Sequence, residues 1–467
     1  MPGRKFSSSD EIFDYLMRFV NVEKGQATEL KLDRMRHLCV LLGDPQLAYR
    51  TIHVAGSKGK GSVSAMIARI LQAAGLRTGL YTSPHLFRWK ERISLAGDEM
   101  PEEILLESMD EVLPLVEGKK AEDFPGNELP TYFELCTLVA FCAFRRSGCE
   151  TAVVETGLGG RLDSTNVVDS AASVITPIEL EHTEWLGDTI AKIAFEKAGI
   201  IKPGRPCFLS RQIPEAREVF AKVCAERGSP LREMDELVSL EEPRLDGSGT
   251  SVRLSFDPAW PRAERFAETG DGERASGPVP LELRSPIVGR IQAQNMALAL
   301  LAAAEVEPRV DRAAAAAGLA AASLPARFQI LALDPPVVLD GAHTPASIRL
   351  TLETFEALFP GPKDLLFACA HDKKYEEMAA ILAPRFGAIT VTRPGSFKQS
   401  DPRRVYESFA RRSAACSLVE DHGEAVREAR TRAAAANRPL LVTGSFYLCA
   451  EAATALGAAE APQPGQR

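Results

Sequence analysis

The 467-residue chain has no pair of cysteines at C-x-x-C spacing, and its nine cysteines are scattered and odd in number. That pattern speaks against a zinc site or a disulfide framework, so reduced thiols in a cytoplasmic protein are expected. An excess of positive charge is also missing: 55 Lys and Arg against 63 Asp and Glu give a formal net charge of −8. Nucleic acid is therefore not expected as the main ligand, because phosphate-backbone binding needs a basic surface. A local basic pocket within such a protein still suits ATP. No apolar run is long enough to span a bilayer, and MPGRKFSSSDEIF at the start lacks the hydrophobic centre of a signal peptide, so no membrane partner is expected. What is present is the composition of a globular protein, 45% hydrophobic and 25% charged, too long for one ordinary core.

The segment TIHVAGSKGKGS, Thr51–Ser62, organises the rest. Thr51–Ala55 reads as a short strand. Gly56, Ser57, Lys58, Gly59, Lys60, Gly61 and Ser62 form a tight loop, and Val63, Met66, Ile67, Ile70 and Leu71 then recur at helical spacing until Gly75. Strand, glycine loop and helix aim backbone N–H groups and a helix N-terminus at a phosphate, with Lys60 as the accompanying cation. The spacing departs from the usual P-loop, since two residues rather than four separate Gly56 from Gly59, and Gly61 precedes Ser62. A plain glycine turn before a helix is the competing reading.

Further strands are expected at Thr78–Thr82, Thr151–Glu155 and Ala172–Pro177, each followed by chemistry-bearing residues: Ser83, Glu155 and His182. Strand ends on one edge of an α/β sheet are where ligands bind, and a carboxylate there is a hard oxygen ligand for a nucleotide-bound Mg²⁺. Thr131 three residues before Glu134 is a capping box opening a buried helix, Phe133–Arg146. In the helix from Gly187 through Ile200, Lys197 shares the apolar face with Ile190 and Ile193. Its charge calls either for a carboxylate partner or for a neutral amine with a chemical role. Asp246–Pro280 is expected as an exposed insertion, and Gly289–Asn295 as the approach to a helix Met296–Glu305. From Leu324 on, strands at Val337–Leu339, Leu365–Ala370, Ala388–Thr392 and Leu440–Thr443 alternate with helices as a second, smaller α/β unit. The expected domains are 1–323 and 324–456, with a frayed, disordered tail at 457–467.

In order along the chain, IHVAGSKGKGS, TSPHL with ERI, TYFE, VVETGLGGRLDSTN, ITPIELEHTEWLGDT, EKAGIIK, LPARF, LDGAH and TGSFY resemble the folylpolyglutamate synthase/dihydrofolate synthase family of the Mur ligase superfamily. The resemblance implies a P-loop parallel-sheet ATPase domain followed by a Rossmann-like α/β domain. It also implies an ATP-dependent ligase that joins L-glutamate to a pteroate or folate acceptor; a monomer is expected. By the same resemblance Lys60 and its loop hold the β- and γ-phosphates, and Ser83, Glu155 and His182 ligate magnesium. Lys197 matches a lysine that the family carries as a carbamate beside a second Mg²⁺. Asn295, Arg327 and Asp340 match nucleotide-binding positions, and His343 and Ser445 match positions associated with the incoming glutamate. Tyr132 and Phe133 of TYFE, with Arg161 and Asp163 of GGRLD, are expected to wall the pterin pocket.

The implied mechanism has two steps: attack of the acceptor carboxylate on the γ-phosphorus to give an acyl phosphate and ADP, then attack of the glutamate amine with release of phosphate. Three departures stand out. Ser57 and Lys58 replace Thr and Asn of a GTNGKGS loop, and Thr344 replaces Asn of DGAHNP. Another Mur-type amino-acid ligase, a P-loop ATPase or phosphotransferase forming no amide bond, and a non-enzymatic binding protein on the same fold are the alternatives.

Overall fold

The computed structural model describes residues 5–22, 32–266, 279–331, 333–395 and 399–458. Short runs of β-branched and apolar residues, buried on both faces, form the first sheet: β1 (Arg50–Ala55), β2 (Thr78–Tyr81), β3 (Ile93–Leu95), β4 (Asp98–Glu99), β5 (Thr151–Glu155), β6 (Ser170–Ile175), β7 (Cys207–Leu209) and β8 (Leu231–Glu233). Their order is β4-β3-β2-β5-β1-β6-β7-β8. The strands from β2 to β8 in that order run parallel, and β3 and β4 add an antiparallel edge. Helices cover both faces. The helix Lys60–Ala73 packs on one side with Ile291–Val306 and Arg312–Ala320. Tyr132–Arg146 packs on the other with Ser9–Leu16, Asp33–Leu41 and Glu102–Val112. The capping box at Tyr132–Arg146 is present as expected: Glu134 N–H donates to Thr131 Oγ1 at 3.2 Å, and Thr131 N–H donates to Glu134 Oε2 at 2.7 Å.

Two expectations need correction. The Asp246–Pro280 stretch is not simply an exposed insertion. Strands β9 (Val238–Leu240), β10 (Arg244–Asp246), β11 (Gly249–Phe256) and β12 (Val279–Ser285) form an antiparallel sheet. In β12 the residues alternate inward and outward, and Val279, Leu281 and Leu283 join Trp260 and Phe266 in the same core as the Lys60–Ala73 helix. Residues 267–278 lie outside the described residues. The second correction concerns Asn295. The helix begins at Ile291, so Asn295 lies in its second turn rather than on the approach to it.

The third sheet is β13 (Gln329–Leu331), β14 (Val337–Asp340), β15 (Asp364–Phe367), β16 (Ala388–Val391), β17 (Cys416–Leu418) and β18 (Leu440–Thr443), ordered β13-β14-β18-β15-β16-β17. It is parallel except for β13, which pairs antiparallel with β14. Because Asp340 pairs with Thr443, the loops leaving β14 and β18 emerge side by side. Leu86 and Phe87, from the loop after β2, pack against the core of this C-terminal lobe. The expected tail is described only to Ala458, and its remaining residues lie outside the described ones. Among the described residues no helix is long and apolar enough to cross a membrane.

Candidate active site

The adjacent parallel strands β2, β5, β1 and β6 send their following loops to one edge, where a cavity of about 940 Å³ opens toward the C-terminal lobe. Gly56, just after β1, has φ +148, and a Cβ there would overlap the Thr176 side chain. Gly59 has φ +84 and stands directly before the helix. The first half of the loop is committed to the protein. The Ser57 and Lys58 N–H groups donate to Pro177 O at 2.9 and 3.3 Å, and the Ser57 hydroxyl donates to Glu179 O at 3.2 Å. The N–H groups of Lys60, Gly61 and Ser62 stand in the first helical turn, where helix geometry leaves them no intrahelical partner, an arrangement that can hold a phosphate. Ser57 to Ser62 line the cavity and Gly56 lies behind them. Lys60 Nζ reaches back to Gly56 O at 3.0 Å.

Ser83, Glu155 and His182, at or beyond the ends of β2, β5 and β6, all line this cavity. The Ser83 N–H donates to Glu155 Oε2 at 3.2 Å. Burial raises the Glu155 pKa, and the nearby Lys60 charge opposes that rise. Burial lowers the His182 pKa, which keeps a ring nitrogen unprotonated, and its backbone is left-handed at φ 48. Among the described residues no three His, Cys, Asp or Glu side chains cluster closely enough to hold a metal by themselves. Glu155 accepts the Ser83 N–H and keeps further lone pairs that could serve a hard cation.

Lys197 is 2% exposed and lies beneath the phosphate loop rather than in the cavity wall. Its Nζ donates to Gly56 O at 2.7 Å and to Glu181 Oε1 at 3.2 Å. Burial, then the Lys60 charge, draws its pKa down to about 8. Both sequence alternatives are thus present together, a carboxylate partner and a partly neutral amine. Glu181, which the sequence reading did not single out, lines the cavity, and its Oε2 lies 3.8 Å from Lys58 Nζ.

The opposite wall comes from the C-terminal lobe. The Arg327 guanidinium lies 4.1 Å from the centre of the Phe446 ring, and its charge is felt at both Glu155 and Lys58. Asp340 is saturated by the protein. Its Oδ2 accepts from Phe328 N–H at 2.8 Å, and its Oδ1 accepts from Ala342 N–H at 2.9 Å and the Thr351 hydroxyl at 2.8 Å, so it shapes the wall beside Arg327. Asn295 donates to Gln292 Oε1 at 2.8 Å, and its Oδ1 would lie 3.0 Å from a Cβ on Gly59. His343 holds its Nδ1 2.8 Å from Gly341 O. With a carbonyl as partner Nδ1 must carry the proton, which leaves Nε2 as an acceptor. Burial pushes the His343 pKa down to about 4, so the ring stays neutral at physiological pH. The Ser445 side chain accepts from Tyr447 N–H at 3.2 Å and caps the last helix.

Tyr132 and Phe133 line the far end of the cavity. A Cβ on Gly157 would collide with the Phe133 ring, so the loop after β5 closes onto it only through glycine. Asp163 Oδ2 accepts from the N–H groups of Gly157 and Leu158 at 2.9 and 2.8 Å, and its Oδ1 accepts from Thr165 N–H at 3.0 Å; it folds the loop. Arg161 is placed differently from the expectation. It pairs with Glu196 at 2.8 Å and does not reach the cavity. The buried cation there is Arg92, whose Nε donates to His85 Nδ1 at 2.8 Å and whose guanidinium lies 5.7 Å from the centre of the Tyr132 ring. The ERI motif had marked its position without assigning it a role.

Residues 326–446 match the family model of the Mur ligase glutamate ligase domain. A probable bifunctional folylpolyglutamate synthase/dihydropteroate synthase of Haloferax volcanii is 33% identical over 92% of this chain, which spans about half of that relative, 49%. The dihydrofolate synthase/folylpolyglutamate synthase of Bacillus subtilis is 32% identical over 90% of this chain and 93% of its own length. Folylpolyglutamate synthase of Mycobacterium tuberculosis, crystallised with ADP and AMPPCP, superposes with a TM-score of 0.83 at 29% identity, covering 97% of this chain and all of that one. A phosphate loop, a buried strand-end carboxylate and a facing Arg–His wall on two α/β lobes agree with these likenesses, and the chain belongs to the folylpolyglutamate synthase/dihydrofolate synthase family.

Proposed function

We propose that this chain is an ATP-dependent ligase adding L-glutamate to dihydropteroate, to folate glutamates, or to both. The observation that carries this reading is the meeting, in one cavity, of the phosphate loop and Glu155 from the N-terminal lobe with Arg327 and His343 from the C-terminal lobe. The first turn after Gly59 and Lys60 bind the triphosphate, and Asn295 and Arg327 hold the nucleotide from the facing side. Tyr132 and Phe133 give the flat apolar wall that a pterin ring needs. Arg161 has no part in it.

The acceptor carboxylate attacks the γ-phosphorus, ADP departs, and an acyl phosphate remains. Lys60, released from Gly56 O, neutralises charge on the transferring phosphoryl group. The donor set of Ser83, Glu155 and His182 fits magnesium carried in with the phosphates, which supplies Lewis-acid stabilisation of their oxygens when bound. The unprotonated glutamate amine then attacks the acyl carbon, the C–O bond to phosphate breaks, and the amine's proton leaves with the phosphate. His343 Nε2 accepts a hydrogen bond from the amine and orients it. With a pKa near 4 it orients the amine rather than storing a proton. Ser445 and the loop after β18 close the glutamate end. The low pKa of Lys197 gives it the unprotonated fraction that carbamylation requires, and we assign that modification to it.

The test is incubation with Mg-ATP, L-glutamate and either dihydropteroate or tetrahydrofolate, followed by mass spectrometry of the acceptor. The acceptor plus one glutamyl residue is the expected product. Phosphate release without that product would sink the ligase reading and leave an ATPase.

A further inference from the structure

Four of the cations in or beneath the cavity act on one another at the phosphate loop: Lys58, Lys60, Lys197 and Arg327. Three have close partners. Lys60 donates to Gly56 O at 3.0 Å, Lys197 donates to Gly56 O at 2.7 Å and to Glu181 at 3.2 Å, and Arg327 lies on the Phe446 ring. Lys58 is held differently. Its Nζ stands 3.8 Å from Glu181 Oε2, beyond hydrogen-bond range, on a carboxylate whose other oxygen already serves Lys197. Its side chain is only 22% exposed, and the charges of Glu181 and Glu179 offset only part of the hydration it has lost. The Lys58 backbone is pinned by its N–H to Pro177 O while its side chain lines the cavity. Its charge also acts on His343, and both residues line that cavity.

We propose that Lys58 is a ligand of the terminal phosphate: when a nucleoside triphosphate binds, its ammonium leaves Glu181 for oxygens of the outermost phosphoryl group. The assignment rests on the reading of this cavity as a nucleotide site and adds to it a second cation selective for tri- over diphosphate. A direct charge-assisted N–H···O contact to a phosphate oxygen replaces a 3.8 Å pair on a shared carboxylate, and this drives the exchange. In the uncarbamylated chain the move also leaves Glu181 to the Lys197 ammonium alone. Glu181 is thereby the resting partner of Lys58, and the occupied triphosphate site is its working one.

The experiment measures dissociation constants of ADP and β,γ-methylene ATP, in magnesium buffer, for wild type, Lys58→Asn, Lys58→Gln and Lys58→Arg. Lys58→Asn and Lys58→Gln should weaken the triphosphate analogue about tenfold and leave ADP within about twofold, as expected for loss of one charge-assisted contact. Lys58→Arg, which keeps the cation, should recover most of the discrimination. Equal weakening of both nucleotides in the neutral variants, or no weakening of either, overturns the assignment while wild-type ADP binding keeps the nucleotide site standing. A wild type that binds neither nucleotide overturns both. Two neutral variants keep the comparison open if one of them fails to fold.

Discussion

Replacing Lys197 by methionine separates what this residue does for the fold from what it does for the reaction. Its amine has a pKa drawn from the ordinary value of 10.5 to about 8. That difference corresponds to about 3 kcal/mol by which the fold disfavours the charged form. At pH 7 the methionine variant is relieved of this cost but removes one of the two donors to Gly56 O, Lys60 being the other, and the partner of Glu181 Oε1, a loss of about 1–3 kcal/mol. The two nearly offset, so stability at pH 7 should change by no more than about 2 kcal/mol. Activity should fall at least about a hundredfold, because the loop carbonyl and Glu181 lose the group that fixes them. The pH dependence is more diagnostic. Between pH 8 and 10.5 the unfolded chain holds a proton on this lysine that the native chain has released, so wild-type stability rises with pH across that window. Below pH 8 both states are protonated and the slope vanishes. Lys202, also with a pKa near 8, and the buried tyrosines titrate in both proteins and cancel in the difference. Denaturant unfolding of both proteins across this range, in buffers purged of carbon dioxide, should therefore show a wild-type-minus-variant difference growing by about 3 kcal/mol. Parallel curves would refute the lowered amine pKa, and retained activity would refute its functional part.

Three further outcomes follow from the site. Glu155→Gln keeps the contact with Ser83 but removes the anion; turnover with Mg-ATP should drop about a hundredfold to a thousandfold, while metal-free ADP binding, read by calorimetry, stays within about twofold. Asp163→Asn turns one carboxylate oxygen into a donor facing other donors, at a cost of about 1–3 kcal/mol in urea unfolding. It should raise KM for the pterin acceptor with little change in nucleotide affinity. Thr344→Asn should be nearly silent, within about 0.5 kcal/mol in stability and with an unchanged KM for glutamate. Thr344 serves as the N-cap of Pro345–Leu358, accepting from Ser347 N–H at 3.3 Å, and asparagine caps as well.

The parts of the site governed by local chain rules were legible in the sequence. Strand, glycine loop and helix at Arg50–Ala73, the Thr131–Glu134 capping box and the alignment of Ser83, Glu155 and His182 on one sheet edge all follow from patterns a few residues long. What depends on distant partners was not legible. Glu181 matters because two lysines, one in the phosphate loop and one on the helix Ile190–Ala198, converge on its carboxylate. Arg161 was misplaced because a loop arginine next to glycines looks available until Glu196, 35 residues on, claims it. The antiparallel sheet at 238–285 was hidden by its Gly, Pro and charged content, though β12 alternates strictly in burial. The start of the helix Ile291–Val306 was hidden by two glutamines and an asparagine in its first two turns. Strands β13 and β17, three residues each, are too short for a two-residue period to register.

The stacking of Arg327 on Phe446 ties the segment entering the C-terminal lobe to the helix that follows β18, more than a hundred residues on, so a side chain in the cavity wall takes its support from far along the chain. A chain interrupted before that ring, by premature termination or by a protease, keeps the phosphate loop whole but loses the brace on the opposite wall. Fragments of this kind should bind a triphosphate analogue more weakly than the chain that keeps Phe446, a difference calorimetry would read.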